Sequence, residues 1–148
     1  MKLFNLIKIA WFRYRKEIEM FPVDYDEVIN FLYDKFEDCE TIEVEDTKYY
    51  ACNHENAKRI AKLIPTYKLK YKEEFDCDNF SKLYWGISGL LFPRLPIGKC
   101  NVKTSKGLHA LNFILYKSKL GRKLSFSFIE PQTGELKYFN YNPYLLIV

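Results

Sequence analysis

The chain of 148 residues has the length and composition of one folded domain. Hydrophobic residues make up 48% of it and aromatic residues 18%, which supports a real core and excludes a disordered tail. No apolar run approaches the roughly 18 residues of a membrane span, and the first residues show no cleavage site of a signal peptide. Four widely spaced cysteines without a CxxC pair favour reduced thiols. The sequence therefore predicts a soluble, cytoplasmic protein with no membrane span.

Charge is sorted along the chain. Residues 1–16 carry five basic side chains and no acidic ones, residues 17–46 carry twelve acidic side chains against Lys35 alone, and residues 47–148 carry seventeen basic and seven acidic ones. The acidic segment either docks against the basic remainder, binds a basic partner or is solvated. The basic residues are dispersed and no nucleic-acid-binding signature occurs, so no nucleic-acid partner is expected.

The first half of the chain predicts helices followed by an edge strand. Apolar spacing predicts helices over residues 2–18, 24–38 and 54–64, and alternation predicts an edge strand over 41–51. Asp24 and Asn53 are suited to capping the second and third helices, and Pro65 ends the third. This half is therefore expected to be helical and acidic.

The stretch EEFDCDNFSKLYWGISGLL, residues 73–91, places a thiol at a helix start. Its apolar side chains recur at helical spacing, and Asp76 is the expected N-cap, so Cys77 takes the first helical position. Unsatisfied N–H groups and the helix dipole favour an anion there, whereas Asp76 and Asp78 oppose a thiolate. A free cysteine beside an apolar face is also typical of a core residue.

Two β-like runs, 108–116 and 122–130, flank KSKLG and predict a hairpin with Lys119 and Leu120 in its loop. If residue i faces residue 239 minus i, all cross-strand pairs on one face are apolar. That face ends where His109 lies opposite Glu130, at a Cβ separation of roughly 4.5 to 5.5 Å. Burial favours this register over its one-residue neighbours.

The apolar face of the hairpin needs a helix to cover it, and the Cys77 helix is the most obvious cover. Its N-terminus would then lie beside the pair of His109 and Glu130. Such a cluster matches a nucleophile, a base and an orienting acid, with the backbone N–H of Cys77 as one oxyanion-hole donor.

Three motifs in this order, DCDNF, HALN and IEPQTGE, resemble the papain-like cysteine peptidase domain at the C-terminus of Marasmius oreades agglutinin and its relatives. The resemblance covers roughly residues 70–140 and implies that Cys77, His109 and Glu130 form a catalytic triad. It also implies calcium or manganese near the site, held by oxygen ligands. The matching metal ligands are Asp76, Asp78, Glu130 and Gln132.

These observations predict a single α+β, papain-like domain over residues 1–148, in which N-terminal helices precede an antiparallel sheet and the catalytic cysteine begins a helix. Residues 1–69 form the helical, acidic part with its edge strand, and residues 70–148 form the catalytic core. The predicted function is that of a cysteine peptidase (a thiol protease) or related acyl-transfer hydrolase with a peptide or protein substrate, activated by calcium if the metal binds. The alternative is a catalytically inactive binding or regulatory protein on the same fold, acting through its charged faces.

Overall fold

A computed structural model describes residues 18–118 and 123–148 of the chain. Apart from Ile18, the predicted first helix and the predicted hairpin loop at Lys119 and Leu120 lie outside the described residues. The helices are α1 (Tyr25–Lys35), α2 (His54–Leu63) and α3 (Cys77–Leu91), with a 3-10 helix over Pro65–Lys68. The strands are β1 (Met20–Asp24), β2 (Thr41–Glu43), β3 (Lys48–Cys52), β4 (Ile97–Thr104), β5 (Gly107–Lys117), β6 (Leu124–Glu130), β7 (Glu135–Lys137) and β8 (Pro143–Ile147).

The helix starts follow the capping residues in the sequence. An Oδ atom of Asp24 accepts from the backbone N–H of Glu27 at 2.8 Å, and Asn53 accepts from the N–H of Asn56 at 2.9 Å. These bonds satisfy N–H groups that have no partner within the helix, which confirms both predicted caps. None of the helices in the described ranges combines the length and hydrophobicity that a membrane crossing requires.

The main sheet has six strands in the order β2-β8-β4-β5-β6-β7, and its pairs are antiparallel except for β2 with β8. Strands β1 and β3 form a separate antiparallel pair. The single edge strand predicted over residues 41–51 is therefore wrong, because β2 and β3 belong to different sheets. A bend between them is held where the N–H of Asp46 donates to the Tyr49 hydroxyl at 2.9 Å, and alternation alone does not reveal such a break.

The register of the hairpin also differs from the prediction. Phe113 lies opposite Phe128 and Leu115 lies opposite Phe126, which is a shift of two residues. A one-residue slip turns every side chain to the other face, but a two-residue slip keeps each side chain on its face. Burial therefore identified the correct face and could not distinguish these two registers.

Both faces of the main sheet are covered, and each has its own core. Leu111, Phe113 and Leu115 on one face pack with Val28 and Leu32 of α1. On the opposite face, α3 packs through the buried side chains Tyr84, Ile87 and Leu91, against a set that includes Ile97, Ile114 and Ile129. The prediction that α3 covers the first face is wrong, because both faces of β5 are apolar and two amphipathic helices are available to cover them.

The acidic segment docks in part against the basic remainder of the chain. Glu27 of α1 forms an ion pair with Lys117, whose side chain is only 7% exposed, and Glu40 pairs with Lys103 at 3.3 Å. Strand β2 of the same segment joins the main sheet beside β8. The architecture is thus α+β, as predicted at that level, but with few helices and mostly sheet. The predicted order of N-terminal helices before the sheet is wrong, because β1, β2 and β3 lie in the first half and β2 belongs to the main sheet. The papain-like details of the predicted fold are not confirmed.

Candidate functional site: a thiol and imidazole groove

Cys77 is the first residue of α3, as the sequence predicts. Asp76 caps this helix, because its Oδ1 accepts from the N–H of Asp78 at 3.1 Å and from that of Asn79 at 3.4 Å. Cys77 is partly exposed and forms no disulfide. The Asp76 cap thus fixes the start of α3 at Cys77.

His109 of β5 contacts Glu130 at the end of β6, with 3.0 Å between Nε2 and Oε2. This confirms the predicted contact between imidazole and carboxylate. The other oxygen, Oε1, accepts from the backbone N–H of Gln132 at 3.2 Å. The hydrogen bond to Glu130 is the main reason why the pKa of His109 rises to about 9; contact with the Cys77 thiol also raises it, and burial opposes the rise. His109 is therefore cationic at neutral pH.

Cys77 and His109 line one groove of about 250 Å³. Its walls are formed by Asp76, Cys77, Asp78, Asn101, Leu108, His109, Ala110 and Tyr144. Sequence reasoning missed Asn101 and Tyr144, because β4 and β8 carry no motif and reach the groove only through the order of strands in the sheet. The groove thus combines the predicted thiol and imidazole with an amide and an aromatic ring.

A second cleft of about 550 Å³ adjoins the first, since Leu108 and His109 line both. Its other walls are Lys103, Thr104, Ser105, Lys106 and Tyr141. The two clefts together form a longer path across His109, acidic on the side of α3 and basic on the side of the turn between β4 and β5.

Buried polar contacts fix α3 to the sheet close to the groove. The side-chain amide of Asn112 donates to the carbonyl oxygens of Ser81 and Gly98, each at 3.1 Å. The Ser81 hydroxyl donates to the carbonyl of Leu111 at 2.9 Å. Ser81 lies one turn after Cys77, and Asn112 lies three residues after His109, so these bonds set the position of the thiol relative to the imidazole.

Three of the four predicted metal ligands use their carboxylates for other partners, and Gln132 is engaged through its backbone N–H. Asp76 caps α3, Asp78 pairs with Lys82 at 2.5 Å, and Glu130 bonds His109 and the Gln132 backbone. In the described part of the chain, no three His, Cys, Asp or Glu side chains are arranged to hold a metal ion. As placed here, the four residues do not form a cation cage, and calcium or manganese binding stays a prediction.

Comparison with known proteins finds similar solved structures but does not place the chain in a family. No family model and no curated protein matches the sequence. Among solved structures, a complex of PSL1a with E64 is similar, with a TM-score of 0.71 and 19% identity over 86% of this chain. The lectin of Polyporus squamosus bound to the epitope Neu5Acα2-6Galβ1-4GlcNAc is also similar, with a TM-score of 0.66 and 18% identity over 86% of this chain. The chain spans about half the length of each of these solved chains.

These likenesses correct the identification made from the short motifs. The similar structures are lectins, so the resemblance to a papain-like peptidase domain, and with it the prediction of a cysteine peptidase or other hydrolase, is wrong. The alternative prediction of a binding protein agrees better with the comparisons, although not as a papain-like protein. The roles assigned to Cys77, His109 and Glu130, the single-domain organisation and the cytoplasmic location stay predictions, because no comparison tests them.

Proposed function

We propose that the chain is a carbohydrate-binding protein and that its ligand lies in the groove around Cys77 and His109. The observation that carries the proposal is the composition of that groove. Tyr144, whose ring lies 5.3 Å from the Lys103 ammonium, lines one wall, and Asp76, Asp78 and Asn101 line the others. The lectin neighbours support the same kind of ligand, through fold likeness alone.

The chemistry of the walls suits a sugar ring. Carboxylate and amide oxygens accept hydrogen bonds from hydroxyl groups, and the amide NH₂ of Asn101 can donate one. A tyrosine ring offers an apolar surface to the C–H face of the sugar while its hydroxyl stays polar. The volume of about 250 Å³ suits one ring, and the adjoining cleft has room for further units of an oligosaccharide.

Cys77 and His109 form the centre of this groove in the proposal, and Glu130 acts from outside the lining through its hydrogen bond to His109. Glu130 keeps His109 cationic at neutral pH and accepts from Nε2–H, so Nδ1–H is the ring donor left for the ligand. An anionic or hydroxyl-rich group is then favoured beside His109. Cys77 contributes a small polarisable wall at the helix start.

Binding of immobilised glycans, including Neu5Acα2-6Galβ1-4GlcNAc, tests the proposal. We expect saturable binding of at least one glycan, weakened about tenfold or more in Tyr144→Ala, which corresponds to about 1.4 kcal/mol. Tyr33→Ala is the matched control, because Tyr33 is a tyrosine of α1 outside both clefts and 52% exposed.

Three results would overturn the proposal. One is a failure to retain any glycan, and another is an equal effect of Tyr144→Ala and Tyr33→Ala. The third is turnover of a peptide substrate that depends on Cys77, since a binding protein leaves its ligand intact.

A further inference from the structure

An exposed segment on the approach to α3 alternates bulky apolar and basic side chains. Residues 67–72 read YKLKYK, and all six are exposed. Tyr67 is 41% exposed, Leu69 38% and Tyr71 61%, so three of the ten large hydrophobic side chains exposed in the described ranges fall within five residues. We call residues 67–72 the basic–aromatic segment. Such a concentration of exposed apolar side chains marks an interaction surface.

The basic–aromatic segment is held in place at both ends. Before it, the buried Thr66 hydroxyl donates to the carbonyl of Pro131 at 2.6 Å, and the N–H of Leu69 donates to the carbonyl of Thr66 at 2.9 Å. After it, Lys72 and Phe75 exchange backbone hydrogen bonds of 3.3 and 2.9 Å. The segment therefore presents its side chains from a defined backbone, which lowers the entropic cost of docking.

The lysines of the segment are available to an anionic partner. None of Lys68, Lys70 and Lys72 forms an ion pair with an acid in the described ranges, and the Lys68 ammonium lies 5.9 Å from the centre of the Tyr67 ring. Glu73 and Glu74 follow directly and reduce the net positive charge.

We propose that the basic–aromatic segment docks on a membrane surface that contains anionic lipids. Lysines near such a surface are attracted by its negative potential, and tyrosine rings settle at the depth of the headgroups. The aliphatic Leu69 favours lipid over single-stranded nucleic acid, since a leucine cannot stack on a base. The proposal is independent of carbohydrate binding, because none of residues 67–72 lines either cleft.

Co-sedimentation of the whole chain with vesicles tests this proposal. We expect binding to phosphatidylcholine vesicles with roughly a third phosphatidylserine, little binding to pure phosphatidylcholine, and a loss of binding at high salt. Replacement of Lys68, Lys70 and Lys72 by alanine should weaken binding about tenfold or more. Leu69→Ser with Tyr71→Ser should weaken it as well, while the lysines remain.

The matched control replaces Lys48, Lys58 and Lys123 by alanine, which removes the same charge elsewhere on the protein. Equal weakening in this control would overturn the proposal, since it would show an effect of net charge alone. Equal binding to neutral vesicles would also overturn it, as would retention of a single-stranded oligonucleotide in place of vesicles. Circular dichroism of each variant confirms that a loss of binding is not a loss of fold.

Discussion

The side chains of His109 on β5 and Glu130 on β6 are in contact, although the two residues are not directly opposite each other in the sheet. Asn112 lies opposite Ile129, so the same register places Glu130 opposite Leu111 and two positions from His109. Diagonal neighbours of this kind remain within reach of long side chains. The carboxylate therefore approaches the imidazole along the strand direction, at a distance of 3.0 Å.

We predict that the stability of the protein falls as pH rises from about 6.5 to about 9. Folding raises the pKa of His109 from 6.5 to about 9, so the protonated folded state is favoured. That contribution is fully present below about 6.5 and is lost as pH rises through the folded pKa. Because the His109 side chain is 28% exposed, we expect the free energy of unfolding to fall by about 1 to 3 kcal/mol over this range of pH. Urea unfolding at several pH values measures this change.

Glu130→Gln should remove most of this pH dependence, because the amide keeps the shape of the carboxylate without its charge. The His109 pKa should then return toward its ordinary value in an NMR titration. His54, the other histidine of the chain, is the internal control, since burial and Lys58 lower its pKa independently of Glu130. A His109 titration unchanged by the substitution would contradict the assignment.

Iodoacetamide should label Cys77 faster than the other three cysteines. Burial raises the pKa of Cys39, raises that of Cys52 to about 12 and raises that of Cys100 well above its ordinary value. Cys77 is partly exposed beside a cationic imidazole. Since the thiolate is the species that reacts, peptide mass mapping at short times should find the label at Cys77.

Two comparisons sharpen the labelling experiment. His109→Gln should slow the reaction at Cys77 and leave the slow reaction at Cys39 unchanged. E64, which PSL1a binds in its solved complex, can be offered in place of iodoacetamide to learn whether the groove of this chain accepts it. Labelling of all four thiols at one rate would show that Cys77 has no special environment.

Asn112→Ala should destabilise the protein by about 2 kcal/mol or more. The substitution leaves two buried carbonyl oxygens, of Ser81 and Gly98, without their donor. Asn56→Ala is the matched control. Asn56 is also buried, but it bonds the Asn53 cap through its backbone N–H, which alanine retains. The His109 pKa should fall in Asn112→Ala and not in Asn56→Ala, which separates positioning of α3 from loss of stability. An Asn112→Ala protein as stable as the wild type would contradict this role.

The predicted calcium or manganese site can be tested by thermal unfolding. Binding to the folded state alone must raise the melting temperature, by mass action equivalent to about 2.7 kcal/mol at a hundredfold excess over Kd. Asp78→Asn should abolish any such increase. The Asp78→Asn protein should also lose its ion pair with Lys82, so the comparison is made with Lys82→Ala, which breaks that pair and keeps the carboxylate. No increase with calcium or manganese would end the metal prediction.

Local features of this chain were predictable and distant ones were not. Asp24, Asn53 and Asp76 cap helices where the sequence indicates, because capping depends on a few adjacent residues. The register of β5 and β6 was wrong by two residues, since both registers bury the same phenylalanines. The prediction of which helix covers which face of the sheet was wrong, because α1 and α3 are both amphipathic and β5, which lies between them, is apolar on both faces.

The candidate site shows the same division. The side chains of Cys77, His109 and Glu130 were found from spacing along a helix and a hairpin. Asn101 and Tyr144 reach the groove only because β8 inserts beside β4, which is a matter of topology. Asn112 could have been noticed as a polar residue within an apolar strand, which is a signal for a buried hydrogen-bonding role.

Strand β8 lies between β2 and β4, and this position carries a consequence for proteolysis. Residues 138–140, just before it, are exposed, so a protease has access to this connection. After a cut there, β8 would be held only by non-covalent contacts, and its escape would remove the parallel partner of β2, about a hundred residues away in the chain. The bare edge of β4 would then be open to a strand from another molecule. A single nick in this loop is therefore expected to make the protein prone to aggregation.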